Sequence, residues 1–290
     1  MCYNNYRGDN MLDEYSCGDI YIRHAVDDAP DAGSFTMHIH DGCEIYFFVS
    51  GNVEYLVEGS RYPLHENSLM IMRPAEAHTP KITAGSTYER YAVNFPLSFA
   101  DALDPERRLT RAFTERPLGS NNMLSSSDID TALIKRLFSE MCSCDDDYGK
   151  RLTLCTHLIM LLDMIDRAWS ERRRSGHKTQ STAERLVMYV NEHLTEDISV
   201  AKLAEHFYLS TSQFDRVFKQ ATGAAPWEYV IKKRLTMAKE LLRNGASARQ
   251  AAESCGFRDY SVFYRAYIRY FGSSPKHSQI KQIGPDTMTE

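Results

Sequence analysis

Four side chains in the first third of this 290-residue chain have the types and spacing to hold a divalent ion. In "HIHDGCEIYFFVSG", His38 and His40 stand two apart, Glu44 follows after three intervening residues, and Gly51 after six more. His78 closes "IMRPAEAH". On a strand, residues i and i+2 share a face, so both leading histidines would project to one side. Imidazole and carboxylate together suit zinc, iron, nickel or manganese. The same groups also suit a metal-free pocket that hydrogen-bonds a sugar or small acid. A third reading has them satisfying one another inside the fold. Tyr46, Arg73 and Tyr91 are further candidates to line such a pocket.

The elements that would carry these residues are short and extended. From Gly33 to Pro80, "EIYFFVSG", "VEYLVEGS" and "SLMIMRP" read as strands, rich in β-branched and aromatic residues and broken by Gly, Asn and Pro. "EGSR" predicts a tight hairpin at Gly59-Ser60. This spacing suits a small antiparallel sandwich or barrel. It resembles the cupin barrel, whose two motifs converge on three histidines and a carboxylate around a metal. The first motif fits from His38 to Gly51. The second departs: Arg73 and Ala75 replace its usual proline and glycine, Asn67 holds another glycine position, and Ile82 replaces its asparagine.

A second chemistry lies near the end of the chain. "FDRVFKQATGAAP" (214–226) and "FYRAYIRYFGSSP" (263–275) align at a constant offset of 49 residues. Phe214 meets Phe263, Arg216 meets Arg265, Phe218 meets Tyr267, Gly223 meets Gly272 and Pro226 meets Pro275. One supersecondary unit is used twice. In its first copy, Val200, Leu203, Ala204 and Phe207 predict a short amphipathic helix capped by Ser199. Ser210 and Gln213 then read as a capping box opening the next helix, which stops at Gly223. The second copy has a turn one residue longer, with Asp259 as the cap. Two short helices about such a turn form a helix-turn-helix. Between the copies, "WEYVIKKRLTMAKELLRNG" predicts a helix of about 17 residues, spanning roughly 25 Å. It would hold the units near the ~34 Å spacing of successive major grooves.

Residues from about 182 to 279 resemble the DNA-binding domain of the AraC family of bacterial transcription regulators. The carrying motifs are "SVAKLAEHFYLSTSQFDRVFKQATG", "RLTMAKELL" and "CGFRDYSVFYRAYIRYFGSSP". "AAESCGF" departs by opening on alanine where the family prefers a larger aliphatic. The resemblance implies base contacts from Ser212, Asp215 and Arg216, then from Tyr260, Ser261 and Arg265. Arginine suits that role because its fork pairs bidentately with guanine O6 and N7. Lys219, Arg258 and Arg269 read as phosphate positioners. The plainer reading makes these the solvated faces of a bundle, and Asp215 would repel phosphate.

Charge supports the division. Residues 1–170 carry 15 Lys and Arg against 26 Asp and Glu, whereas residues 171–290 carry 19 against 13. No apolar run is long enough to span a membrane, and the acidic N-terminus lacks the apolar core of a signal peptide. Seven scattered cysteines, including Cys142-x-Cys144, fit reduced thiols and a cytoplasmic location. Residues 128–170 predict helices with apolar stripes (Ile129, Leu133, Leu137, Met141; then Leu154, Leu158, Leu161, Leu162, Ile165), part of which would form a dimer seam.

The expected fold is multidomain α+β. Residues 1–125 form a cupin-like effector-binding barrel, 126–170 a helical dimerisation segment, 171–181 a linker, and 182–290 an all-α domain with two helix-turn-helix units. The expected function is a homodimeric transcription regulator that senses a sugar or other small metabolite and binds double-stranded promoter DNA. RNA polymerase is a partner implied by the resemblance. The one cofactor considered is a divalent metal in the barrel. Two alternatives stay open, a barrel that only dimerises and a bifunctional metal-dependent cupin enzyme. Nothing beyond the four candidate ligands supplies an acid–base pair or a substrate clamp for the latter.

Overall fold

The computed structural model describes residues 10–28, 30, 35–83, 85, 87–143, 147–172 and 181–280. Nine strands come first: β1 (Asn10–Cys17), β2 (Ile20–Asp27), β3 (Cys43–Ser50), β4 (Val53–Val57), β5 (Ser60–Pro63), β6 (Leu69–Met72), β7 (His78–Ile82), β8 (Tyr88–Phe95) and β9 (Met123–Leu124). They pair antiparallel in two sheets, ordered β1-β2-β8-β3-β6-β9 and β5-β4-β7. Alternation explains the packing. Tyr46, Phe48, Met70, Met72 and Tyr88 point inward from the large sheet and meet Val53, Tyr55, Val57 and Ile82 of the small one. Their neighbours Ile45, Phe47, Ile71, Tyr91 and Val93 point outward.

That outer face is covered by α2 (Thr131–Cys142) and α3 (Asp147–Arg172), with the four-residue α1 (Arg111–Thr114) beside them. Ile134, Leu137, Phe138 and Met141, then Leu154, Leu158, Leu161, Leu162 and Ile165, are fully buried against the sheet. Most of the leucine-rich stripe, part of it expected to form a dimer seam, is therefore used within the chain. The large apolar side chains that α3 leaves exposed are Tyr148, Leu152 and Met160. The sheet domain also begins before Gly33 and continues past Pro80, because β1, β2 and β8 belong to it. Asp27, Arg90 and Asn94 are buried in β2 and β8, so their alternation is masked in the sequence.

The remaining helices are α4 (Thr182–Glu192), α5 (Val200–His206), α6 (Thr211–Thr222), α7 (Pro226–Arg243), α8 (Ala248–Ser254), α9 (Tyr260–Phe271) and α10 (Pro275–Ile280). The caps fall where expected. Ser199 accepts from the Lys202 amide, Ser210 and Gln213 form a capping box, and Asp259 accepts from the amides of Ser261 and Val262. Gly223 and Gly272 end α6 and α9 in the left-handed region, at φ 80° and 69°. Of the expected linker, residues 171 and 172 complete α3, 173–180 lie outside the described residues, and Ser181 caps α4. Cys144 also lies outside them.

Two turns hold the sheet domain's working surface. The β4–β5 hairpin turns one residue earlier than expected. Val57 pairs with Ser60, leaving Glu58 and Gly59 as the loop, both left-handed at φ 48° and 87°. Two such residues make the type I′ turn that suits strand twist. The loop between β6 and β7 is pinned by Glu76, which is wholly buried. Arg116 donates to both its carboxylate oxygens (2.7 and 2.5 Å), joined by the Gly119 amide and the Asn122 side chain.

Burial alone would raise the Glu76 carboxyl, but the adjoining Arg116 charge and the hydrogen bonds outweigh it and hold it at about 2. A carboxyl depressed in the folded state stabilises the fold above its unfolded value and loses that contribution as pH falls through the folded one. The shift corresponds to on the order of 3 kcal/mol. Stability measured by denaturant unfolding should therefore fall between about pH 5 and pH 2. Glu76→Gln should be less stable at neutral pH and lose part of that slope. Equal stability of the two proteins across this range would show that Glu76 does not anchor the loop.

Candidate functional site

The cluster read from sequence assembles. His38 forms an isolated bridge with His78, each amide donating to the other's carbonyl at 3.1 Å. His40 follows on the same side, and Glu44 projects from β3. One ligand atom from each of the four residues lies within 4.8 Å of the others. Glu44 Oε2 is 2.9 Å from His40 Nε2 and 3.1 Å from His78 Nε2. Glu44 and His78 are buried, while His38 and His40 are half-buried.

The outer contacts orient every ring. Nδ1 of His38, His40 and His78 lies 3.2, 2.9 and 2.8 Å from the carbonyl oxygens of Thr36, Gly42 and Glu76. A carbonyl can only accept, so each Nδ1 carries a proton and Nε2 is the atom turned to the cluster. In His40 and His78 it lies against the Glu44 carboxylate, and a proton held between them must leave before Nε2 can ligate. Gly42 is required beside His40, because a Cβ there would stand 2.9 Å from the carbonyl oxygen of Phe95. Burial, with His78 close by, pushes His38 well below the ordinary histidine value and keeps it neutral. Burial would lower His40 too, but its bond to Glu44 outweighs that and raises it. Burial would raise Glu44, yet the bonds from His40 and His78 hold its carboxyl well below the usual range. Three imidazoles with fixed tautomers and one carboxylate are a donor set that fits a divalent transition metal.

The departures from the second cupin motif leave its backbone intact. Asn67 and Ala75, at the two glycine positions, both sit in the left-handed region at φ 65° and 61°. Alanine there costs on the order of 1 kcal/mol. Its backbone is held on both sides, with the Ala75 amide donating to the His40 carbonyl at 2.9 Å and its carbonyl accepting from Lys233 at 2.6 Å.

The other pocket candidates are not brought to the cluster. Tyr46 faces the barrel interior but lies one layer deeper, its hydroxyl 2.5 Å from that of Tyr88. Tyr55, not singled out from sequence, is the aromatic beside the site, 6.1 Å between ring centroids from His78 and 5.0 Å from Tyr46. Its alternation with Val53 and Val57 was the available signal. Arg73 donates instead to the Arg116 carbonyl at 3.1 Å. Tyr91 is on the opposite sheet face, stacked at 4.0 Å on His24 and packed against Phe138, because odd-numbered β8 residues point outward.

In the helical half, Phe214 and Phe218 are buried along α6, and Phe263 and Tyr267 along α9. Ser212, Asp215, Arg216 and Lys219 are exposed on the first helix, and Tyr260, Ser261, Arg265 and Arg269 on the second. Arg258 precedes α9 and forms an exposed ion pair with Asp197. The 18-residue α7 joins the two units, about 27 Å long at 1.5 Å per residue.

Comparison with known proteins follows the same division. A family model described as an AraC-like ligand binding domain matches residues 24–162, and one described as a helix-turn-helix domain matches residues 203–279. The chain belongs to the AraC family of transcription regulators. It is 40% identical over 92 residues to a protein named "Probable transcriptional regulator LumQ", of Photobacterium leiognathi, covering 31% of this chain and 37% of that protein. It is 25% identical over 256 residues to the HTH-type transcriptional activator RhaS of Escherichia fergusonii, covering 87% of this chain and 90% of that one. The DNA-binding domain of AdpA, solved in complex with a target DNA, matches 33% of this chain and 88% of its own at 35% identity (TM-score 0.32). The AraC-family chain thus joins a ligand-binding domain, which holds the histidine cluster, to a DNA-binding domain.

Proposed function

We propose that this regulator responds to an effector held at His38, His40, Glu44 and His78, and that the effector is a divalent transition-metal ion. The observation that carries this reading is the convergence of three imidazoles and one carboxylate inside the ligand-binding domain. When bound, such an ion supplies a fixed charge and cross-links the elements that carry its ligands. The protein's own part is to hold Nδ1 of each ring on a carbonyl and to shed the proton shared by His40 and Glu44. A sugar is the weaker reading, because Tyr46, Phe48, Tyr55, Met70, Met72 and Tyr88 fill the interior behind the cluster.

Double-stranded DNA is read by the exposed faces of α6 and α9 in successive major grooves. Ser212, Asp215, Arg216, Tyr260, Ser261 and Arg265 face base edges, and Lys219, Arg258 and Arg269 face phosphates. Equivalent placement of Arg216 and Arg265 on a repeated unit supports this. The regulator acts as a homodimer in the cytoplasm and contacts RNA polymerase, as its family membership implies.

Two measurements test the proposal. Thermal unfolding of the full chain should shift upward with one of Zn²⁺, Ni²⁺, Mn²⁺ or Fe²⁺, by about 2.7 kcal/mol at a hundredfold over Kd. His78→Ala should abolish that shift. A shift produced by sugars or small acids, and by none of the ions, would refute the metal reading. On a mapped operator, Arg216→Ala and Arg265→Ala should each weaken specific binding by ~1–3 kcal/mol. Wild-type affinity in both would remove these helices from base recognition.

A further inference from the structure

The two backbone segments that present the histidines also hold the DNA-binding domain, on their other face. Met37 and Ile39 flank His38, and Ala77 precedes His78. All three are buried among side chains of the helical domain, including Leu186, Phe214 and Tyr229. Polar contacts follow the same segments. Lys232 donates to the Met37 carbonyl at 2.8 Å and Tyr270 to the Ile39 carbonyl at 3.0 Å. Asp41 pairs with Lys239 at 2.9 Å and Arg243 at 2.8 Å.

At the centre lies Glu58, held in the left-handed hairpin turn and buried. Its carboxylate accepts from Lys233 at 2.8 Å, Asn191 at 2.9 Å, the Ala77 amide at 2.7 Å and the Tyr229 hydroxyl. Lys233 also donates to the Ala75 carbonyl at 2.6 Å. Thus α7, the helix joining both helix-turn-helix units, is fastened to the neighbours of His38 and His40, at Met37 and Asp41, and to Ala75, three positions before His78.

We infer that this contact is a latch, and that an ion bound by the four-residue cluster tightens it. The inference rests on the metal reading proposed above. Residues 35–42 form no regular strand and meet β7 through the single bridge between His38 and His78. An ion joining His38 and His40 to Glu44 and His78 would tie this segment to β3 and β7. The spacing of Met37, Ile39 and Ala77 on the reverse face is then fixed before α7 docks. Less conformational freedom remains to be lost on docking, so the occupied barrel holds the helical domain more firmly. The recognition faces stay exposed in the latched form, and docking fixes their orientation on the barrel.

Coupling of this kind is reciprocal: if the ion favours docking, docking favours the ion by the same factor, so a variant that undocks the helical domain must bind the ion more weakly. The test is calorimetric titration of the full chain with Zn²⁺, comparing wild type with Lys233→Met and Lys239→Met. Neither side chain belongs to the cluster. We expect Kd to rise about tenfold in Lys233→Met, equivalent to about 1.4 kcal/mol, and by a smaller factor in Lys239→Met. If Lys233→Met loses its native circular dichroism, Lys239→Met carries the comparison. Zn²⁺ binding with unchanged Kd in the folded variants would overturn the latch and leave the metal site standing. An absence of Zn²⁺ binding in wild type, with none to Ni²⁺, Mn²⁺ or Fe²⁺, would overturn both.

Discussion

A buried carboxylate needs donors on every side, and Glu58 obtains most of its donors from another domain. Breaking such a pair by deleting one partner costs about 3–5 kcal/mol, because the remaining charge is left buried without compensation. The arrangement therefore acts as a constraint on the whole molecule. Lys233 and Tyr229 must come from one face of α7, and Asn191 must come from α4. The hairpin must turn at residues 58 and 59 to deliver the carboxylate. Gly59 is part of the same requirement, since a Cβ there would stand 3.0 Å from Val187 Cγ2 and 3.2 Å from the Ala183 carbonyl oxygen. Glycine is needed for the turn and for the closeness of α4.

Strand geometry then places the chemical site next to this contact. In extended chain, successive side chains face opposite ways, so a segment carrying histidines at 38 and 40 carries Met37 and Ile39 behind them. The histidine spacing and the docking surface are thus one periodicity seen from two sides. This explains why Ala75 keeps a left-handed conformation without glycine. Its amide serves the His40 carbonyl and its carbonyl serves Lys233, so both faces benefit from holding it there.

Much of this was legible in the sequence where local rules decide. The helix-turn-helix repeat, its caps and its glycine stops follow from short-range spacing, as Ser210, Gln213, Asp259 and Gly223 illustrate. The histidine cluster was legible because period-two spacing and a motif converge on the same residues. β2 and β8 were missed because Asp27, Arg90 and Asn94 point inward and imitate exposed positions. Tyr91 was misplaced by a single step of alternation, since adjacent residues on β8 serve different cores. Glu58, Lys233 and Tyr229 gave no local signal. Glu58 lies 175 positions from Lys233 and 171 from Tyr229, and a lone lysine on an amphipathic helix reads as solvated until the fold buries it. The Leu-rich stripe of α3 shows the converse ambiguity, because an apolar face does not reveal whether its partner is the same chain or a second copy.

The charge asymmetry poses a last constraint. A front half with 26 acidic against 15 basic residues would oppose DNA if it stood beside the phosphates, within the roughly 8–10 Å over which salt leaves such fields unscreened. The docking meets this by using the far end of the first recognition helix. Lys81 donates to the Gln220 carbonyl at 3.2 Å and Arg61 to the same oxygen at 3.5 Å. Both cations thus sit at the C-terminal end of α6, where the helix dipole favours positive charge. Thr79 lies against Gly223, just past the same end. Ser212, Asp215 and Arg216 lie in the first half of that 12-residue helix, the half that a helix-turn-helix turns to base edges. An acidic domain can therefore grip the recognition unit by its C-terminal end, through two of its own basic residues, and leave the reading end clear.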